Sequence, residues 1–363
     1  MPLDLEKMSK KPASWLAAPG QEASVVLSSR VRLARNLKGM QYPNSADDAT
    51  LEKVVTYVGA ACELAENLRS SDFIKSTELN DLQRDFLVER HLISPTFLDG
   101  EPNKALLVDP DERTSIMVNE EDHLRVQSMQ PGLELHKAYE RALSCDDQLC
   151  ASLDIDYDPD FGYLTACPTN VGTGMRASAL IHLPGLVLTR EIDNVIARIS
   201  NLGLVVRGFY GEGSDVLGNL FQISNQTTLG ISESEILSSI ESITRTIIEE
   251  EDVARKRLIE EAPNQIDDKV WRAYGILKYA RTLTSEETMN LLSAIRLGIA
   301  LGRVSFVKLE QVNEMLLLSQ PAHLQMYYGE EMDEAQRDSV RAHMVRGKLR
   351  DSATDQTPEK PDS

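Results

Sequence analysis

The stretch VVLSSRVRLARN, residues 25–36, places three arginines on a short apolar run that is rich in β-branched residues. Arg30 and Arg32 are two residues apart, so in a β-strand their side chains point to the same face of the sheet. An unpaired guanidinium on such a strand is costly to bury. The stretch therefore predicts a strand with one cationic face that meets an anion.

The composition limits which anion this is. The chain has 363 residues and a formal net charge of -19, which would repel nucleic acid and anionic membranes over most of the surface. The N-terminus lacks the apolar core of a signal peptide, and no apolar run is long enough to span a membrane. The four cysteines show neither metal-ligand spacing nor disulfide-scaffold density. We expect a cytoplasmic protein with reduced thiols and no direct contact with nucleic acid or membrane.

Hydrophobic periodicity predicts an α+β fold for the first two thirds of the chain. Apolar residues recur at helical spacing in 47–69 and 81–92, and helical patterns also cover 132–152 and 189–201. Six short segments bounded by turn residues read as strands of one sheet: 104–110, 114–129, 161–168, 176–186, 203–210 and 219–226. We expect a mainly antiparallel sheet flanked by helices.

The remaining third is almost purely helical. Ser232 with Glu235, and Thr284 with Glu287, have the spacing of capping boxes, and Pro263 separates the first long helix from the next helical segment. We expect a domain boundary near 255–265 and then a bundle of four or five helices ending near Arg350. The predicted organisation is an N-terminal extension (1–23), an α+β domain (24–255), an all-α helical domain (256–350) and a disordered tail (351–363).

Further arginines extend the cationic pattern. Arg125 follows the acidic run NEEDHL, Arg176 follows the glycine-rich NVGTG, and Arg207 ends the apolar GLVVR. Guanidinium groups bind phosphate oxygens in a bidentate manner, so a nucleoside triphosphate is the expected anion. The sequence has no GxxxxGK[ST] loop and no HRD or DFG triplet, which excludes two familiar phosphoryl-transfer templates.

Four segments together resemble the phosphagen (guanidino) kinases: SSRVRLARN, VNEEDHLRVQSM, ACPTNVGTGMRAS and RGFYGEGS. The resemblance covers roughly residues 24–255 and implies a phosphagen-kinase-like catalytic domain that uses ATP, with Mg²⁺ bound through the nucleotide. A lone histidine such as His91 would otherwise be read as a packed helix residue. The resemblance implies the following ATP-binding positions: Ser28, Ser29, Arg30, Val31, Arg32, His91, Arg125, Arg176, Ala177, Ser178, Ala179, Leu180, Arg207, Gly208, Phe209, Tyr210, Gly211 and Glu212.

The resemblance also assigns catalytic roles. Removing a proton from a guanidinium before attack would cost about 9 kcal/mol at neutral pH, so proton loss must accompany attack on phosphorus. We expect Glu121 to be the principal base and Glu120 to assist. Glu212, between two glycines, is expected to anchor the guanidinium from a loop that closes over the site. Cys167, expected at a strand end before Pro168, matches the reactive cysteine of the family, although a small buried apolar role is the alternative.

The acceptor is predicted from two departures from the small-molecule members, which carry a helical domain before the SSRVR segment and lack a helical extension after position 263. In both respects the chain resembles the bacterial protein-arginine kinases of the McsB type. This similarity implies an allosteric phosphoarginine pocket at Arg337, Asp338, Arg341 and Ala342. By spacing alone, Arg337 and Arg341 would be a solvated basic face on one helix.

We therefore expect an ATP-dependent kinase that phosphorylates arginine side chains of proteins. The alternatives are a small-molecule arginine kinase and a non-catalytic phosphoarginine-binding adaptor. The apolar helical faces near 270–320 are expected to form a homodimer contact, with the core of the helical domain as the alternative. The resemblance further implies a zinc-binding activator protein, a Clp-type unfoldase or protease that degrades the marked substrates, and a stress-response repressor as a target.

Overall fold

The computed structural model describes residues 3–17, 20–98, 102–208 and 217–354. The strands are β1 Val26–Arg35, β2 Asp72–Lys75, β3 Ala105–Val108, β4 Thr114–Val118, β5 Leu124–Pro131, β6 Tyr157–Asp158, β7 Gly162–Tyr163, β8 Met175–His182, β9 Leu204–Arg207 and β10 Leu220–Asn225. The α-helices are α1 Leu5–Ser9, α2 Ser14–Ala17, α3 Asp48–Leu64, α4 Asp81–Glu89, α5 Leu135–Cys150, α6 Pro184–Leu188, α7 Ile192–Asn201, α8 Glu233–Glu261, α9 Pro263–Tyr279, α10 Ser285–Ala300, α11 Leu309–Leu318, α12 Pro321–Tyr328 and α13 Glu334–Thr354.

The main sheet has eight strands in the order β2-β3-β4-β5-β1-β8-β10-β9, and each pair of neighbouring strands is antiparallel. The predicted α+β class with a mainly antiparallel sheet is confirmed. Strand β1, which carries the opening stretch, lies between β5 and β8 near the middle of the sheet. Its register places Arg32 opposite Arg176 on one side and Ala34 opposite Arg125 on the other.

The two faces of the sheet have different partners. On one face, Val31 and Leu33 pack with apolar residues of α3, α5, α7 and α8 in the largest core. On the other face, the β3–β4 side packs against α4, whereas Leu27, Met129, Leu180 and Leu220 pack against α2 and the helical domain. The part of this second face between the two apolar clusters carries the arginines.

The helical signals are confirmed where their caps are local. Ser232 and Glu235 form a reciprocal capping box at the start of α8, and the Thr284 side chain caps α10. Pro263 occupies the first position of α9, directly after α8 ends, because its missing N–H costs nothing there. Within the described part of the chain five helices follow α8, and the last of them continues to Thr354. Residues 355–363 of the predicted tail lie outside the described residues.

Several strand predictions were wrong in detail. Segment 161–168 is not a strand of the main sheet, because it contributes only β7, which pairs with β6 in a separate ribbon. Pro168 then begins a 3₁₀ turn, Pro168–Asn170, so Cys167 precedes a turn instead of ending a strand. Segment 114–129 is two strands joined by a turn, and the edge strand β2 was missed because four residues carry little periodicity.

Candidate active site

Arginines from four strands of the main sheet, β5, β1, β8 and β9, converge on the open part of the second sheet face. We call the set of Arg30, Arg32, Arg125, Arg176 and Arg207 the arginine face. Burial, followed by the charges of Arg125, Arg207 and Arg176, lowers the pKa of Arg30 to about 10. Burial, together with the charges of Arg30, Arg125 and Arg176, also lowers the pKa of Arg32 well below its usual value. The guanidinium groups are therefore close enough to repel one another, and a polyanion is the ligand that would relieve the repulsion.

Glu120 is fixed at the edge of the arginine face. Its Oε1 lies 2.5 Å from Arg125 Nη1 and accepts hydrogen bonds from the hydroxyls of Ser94 and Thr96 at 2.5 and 2.7 Å. Burial alone would raise the pKa of Glu120, but Arg125 and the two hydroxyls outweigh it and the pKa is lowered. Glu120 is thus a buried carboxylate, with 3% of its side chain exposed, that holds Arg125 in place.

Glu121 is more accessible. Its side chain is 44% exposed, and its Oε2 lies 3.9 Å from Arg125 Nη2. The Asn170 side-chain amide donates to the same oxygen at 3.4 Å, and Arg176 Nη2 donates to Asn170 Oδ1 at 3.5 Å. A solvent-accessible carboxylate therefore lies beside two phosphate-binding candidates, where a guanidine could approach it from outside.

Cys167 lies three residues before Asn170, the amide partner of Glu121. It is half-buried, and its Sγ lies 3.0 Å from the hydroxyl of Thr169. The Thr165 hydroxyl donates to the Cys167 carbonyl at 2.7 Å, which ties the cysteine to the 3₁₀ turn that also carries Asn170. The turn thus presents a thiol and an amide on the side of the site where Glu121 lies.

The glycine-rich run after that turn shapes the entry to β8. Gly172 and Gly174 both have positive φ, and a Cβ on Gly174 would lie 2.6 Å from the Ala34 carbonyl oxygen. From the sequence, this run was noted only as glycine-rich. The structure shows that the close approach of backbones is what brings Arg176 into register beside Arg32.

His91 lies at the other end of the arginine face, in a small pocket lined by Trp15, Ser28, Arg30, His91, Met129, Ser178, Leu180 and Gln222. Burial and the nearby charge of Arg30 lower the pKa of His91 to about 3, so the ring is neutral at physiological pH. Among the predicted ATP-binding residues, Ser28, Ser178 and Leu180 share this pocket.

Other predicted ATP-binding residues are placed elsewhere. The side chains of Val31, Ala177 and Ala179 belong to the core on the opposite face of the sheet. The Ser29 hydroxyl donates to the Gly132 carbonyl and accepts from the Glu134 N–H on that same side. These four residues therefore position β1 and β8 and do not present side chains to the arginine face. Gly208 is buried at the end of β9, whereas Phe209, Tyr210, Gly211 and Glu212 lie outside the described residues.

The predicted phosphoarginine-binding residues lie on α13. Arg341 is buried and donates to the carbonyls of Ser319 and Leu283, each at 2.7 Å, and to the Asp338 carboxylate. Ala342 is fully buried in the core of the helical domain. Arg337 and Asp338 are partly exposed, so these two offer the accessible groups of the set.

Sequence reasoning missed residues that orient the site. Gln222 accepts a hydrogen bond from Arg30 at 3.0 Å, Ser94 and Thr96 hold Glu120, and Asn170 links Glu121 to Arg176. Only Asn170 stood within a quoted motif. The others come from segments whose proximity to the site is a product of strand order, which no local pattern signals.

The described residues contain no group of three or more His, Cys, Asp or Glu side chains suited to hold a metal ion. In the same part of the chain, no helix combines the length and the apolar character that crossing a membrane requires.

Comparisons with known proteins identify the relatives of this chain. Residues 52–254 match the family model of the ATP:guanido phosphotransferase C-terminal catalytic domain, and residues 263–360 match that of the protein-arginine kinase McsB C-terminal domain. The chain is 46% identical over 347 residues to the protein-arginine kinase of Desulforamulus reducens, covering 95% of this chain and 97% of the relative. It is 44% identical over 342 residues to that of Halothermothrix orenii, covering 94% and 98%.

Solved structures show the same fold. The crystal structure of lombricine kinase matches with a TM-score of 0.56 and 26% identity over 74% of each chain. The substrate-free duplicated taurocyamine kinase from Schistosoma mansoni matches with a TM-score of 0.58 and 23% identity, covering 73% of this chain and 40% of that one.

Proposed function

Because this chain belongs to the family of protein-arginine kinases, whose catalytic domain is that of the ATP:guanido phosphotransferases, we propose that it transfers the γ-phosphoryl group of ATP to arginine side chains of protein substrates. The observation that carries the proposal is the convergence of five arginines beside one fixed and one accessible glutamate. The cations suit a triphosphate, and the carboxylates suit a guanidine.

The geometry supports a direct transfer in one step. The arginine face holds the phosphate oxygens and offsets the charge that spreads over them in the transition state. Glu121 accepts the proton from the attacking guanidine nitrogen while the new N–P bond forms and the bond to the β-phosphate oxygen breaks, releasing ADP. Glu120 acts through Arg125, whose guanidinium it holds against the phosphates. Glu212 and Cys167 would contact the guanidine from the acceptor side.

Mg²⁺ would reach the site with the nucleotide. The groups that face the site are mainly cationic, and the accessible Glu121 is needed for the acceptor, so the residues fit a metal only as part of MgATP. Mg²⁺ would supply charge neutralisation on the β- and γ-phosphates. Removal of Mg²⁺ with a chelator is expected to abolish transfer.

Regulation and partners are proposed from family membership. We assign Arg337 and Asp338 the contacts to an allosteric phosphoarginine, with buried Arg341 and Ala342 shaping the pocket around them. A homodimer through the helical domain, a zinc-binding activator, delivery of marked proteins to a Clp-type protease, control of a stress-response repressor and a cytoplasmic location complete the proposed role.

The test compares acceptors. The protein is incubated with MgATP and either an arginine-rich protein or free L-arginine, and acid-labile phosphate is measured and mapped by mass spectrometry under conditions that preserve the P–N bond. We expect phosphoarginine in the protein acceptor, formed about 10²- to 10⁴-fold more slowly by Glu121→Gln. Turnover of free L-arginine alone would instead make this a small-molecule kinase, and ATP binding without transfer to either acceptor would make it an adaptor.

A further inference from the structure

The nucleotide must lie on the arginine face in one direction. Its γ-phosphate has to reach a guanidine held by Glu121, which lies beside Arg125 and Arg176. Along β1 these residues pair with Ala34 and Arg32, near the C-terminal end of the strand. The nucleoside therefore lies toward the N-terminal end of β1, where Ser28 and Arg30 line the small pocket that contains His91.

One residue of the pocket lining, Trp15, comes from the N-terminal extension, to which no function has been assigned. Trp15, on the short helix α2, is fully buried and lines the pocket together with Ser28, Arg30 and Gln222. Its ring meets the ring of His91 edge to face, with centroids 5.2 Å apart and an interplanar angle of 87°. The tryptophan thus packs against the histidine, and both rings form part of the pocket lining.

The indole of Trp15 carries an unused hydrogen-bond donor. Its Nε1 is buried and has no acceptor among the residues that the structure describes. Buried indole N–H groups usually find a partner, so an orphan beside a ligand pocket points to a partner that arrives with the ligand. The pocket volume is about 10 Å³, room for one water molecule, so a base would lie at its mouth and not within it.

From these observations we propose that Trp15 is part of the ATP site: its indole forms the inner wall for the nucleoside, and its Nε1–H donates, through one bound water, to a ribose hydroxyl or a base atom. This inference rests on the ATP site of the proposed function. A purely structural role for Trp15, as a member of the core below α2, is the alternative.

The chain offers an internal control. It has two tryptophans, and Trp271 on α9 is 47% exposed and stacked on Phe306, within the helical domain. In the Trp271→Phe variant, Trp15 is the single tryptophan and keeps its natural surroundings. Titration with MgADP, which needs no acceptor protein, should change the emission of Trp15 with a midpoint equal to the dissociation constant from calorimetry. Inorganic tripolyphosphate, which fills the arginine face without a nucleoside, should change it much less.

Kinetics of a conservative variant give a second readout. Trp15→Phe keeps an aromatic wall and removes the N–H, so the KM for ATP should rise about tenfold, the loss of one hydrogen bond, with kcat within about twofold. Trp271→Phe should leave both constants unchanged. The inference is overturned if calorimetry detects MgADP but Trp15 emission does not respond, or if Trp15→Phe loses only thermal stability while its KM is unchanged. Absence of MgADP binding by calorimetry would overturn the proposed ATP site, and this inference with it.

Discussion

At the scale of single residues, the two adjacent glutamates have different environments. Glu120 is buried, bonded to Arg125 and to two hydroxyls, and its pKa is lowered despite burial. Glu121 is accessible, and among the described residues its carboxylate accepts a hydrogen bond from Asn170 and lies 3.9 Å from Arg125. The sequence predicted Glu121 as the principal base and Glu120 as its assistant, but it could not show that Glu120 is buried, because the hydroxyls that fix Glu120 come from another segment of the chain.

Glutamine substitutions should separate their roles. Glu121→Gln removes the proton acceptor from the accessible position, so kcat should fall about 10²- to 10⁴-fold while the KM for ATP stays within about twofold. Glu120→Gln leaves Arg125 without its charged partner, so the KM for ATP should rise as well as kcat falling. Steady-state phosphorylation of a protein acceptor at varied ATP measures both. Identical kinetic signatures in the two variants would contradict this division of labour.

At the scale of elements, the turn and the glycine run from Cys167 to Gly174 together position Cys167, Asn170 and Arg176. The 3₁₀ turn places Asn170 between Glu121 and Arg176, and Gly174 lets the chain pass close to Ala34 at the start of β8. Only glycine fits there without strain, because φ is +62° and a Cβ would meet both the Ala34 carbonyl and Arg35 Nη1. The site therefore depends on a backbone approach as much as on side chains.

Two alanine substitutions can isolate that approach. Gly39 has a similar φ of +75°, but no atom lies within 4 Å of its Cβ position. Gly39→Ala should cost only the left-handed backbone penalty, about 1 kcal/mol. Gly174→Ala should cost about 2–4 kcal/mol because the clash is added, and it should raise the KM for ATP by moving Arg176. Urea unfolding and ATP kinetics of both variants give the comparison. Equal losses of stability would show that the contact with Ala34 is unimportant.

At the scale of the whole molecule, three consecutive residues join the helical domain to the pocket that contains His91, which belongs to the proposed ATP site. The Glu89 carboxylate accepts the Ala322 and His323 N–H groups at the start of α12, at 2.8 and 2.7 Å. Arg90 lies 2.6 Å from Glu112 and 3.0 Å from the His323 ring. His91 then lines the pocket beside Arg30. A shift of α12 would therefore be transmitted through Glu89 and Arg90 to the pocket beside Arg30.

Which features can be predicted from the sequence depends on whether their contacts are local or distant in the chain. Helices such as α8 and α10 were predicted because periodicity and caps are local, and the arginine face was predicted because its members sit on recognisable runs. The strand order, the role of Gly174 and the tie between Glu89 and α12 were not predicted. Each depends on residues far apart in the chain, such as 89 and 323, whose types give no sign of their meeting.

The burial of Glu89 at the start of α12 predicts that the stability of the protein depends on pH. Burial is the largest influence on the Glu89 carboxyl group and raises the pKa to about 8, against the lowering effects of the two backbone N–H groups and Arg341. A folded pKa above the unfolded value of about 4.3 means that the folded state holds the proton more tightly. The stability that this proton provides is complete below about pH 4 and is lost as the pH rises through 8.

We therefore expect the free energy of unfolding of the wild type, relative to that of Glu89→Gln, to fall by up to about 1.4 kcal/mol per pH unit between pH 5 and 8. The glutamine cannot ionise, so its own cost at the α12 cap is the same at every pH, and contributions from other titrating groups cancel in the difference. Urea unfolding from pH 5 to 9 measures it, with Glu330→Gln, at an exposed position beyond α12, as a control that should run parallel to the wild type. If the free energy of unfolding of Glu89→Gln has the same pH dependence as that of the wild type, Glu89 is ionised in the folded protein. The segment that links α12 to His91 is then held by a charged carboxylate and not by a protonated carboxyl group.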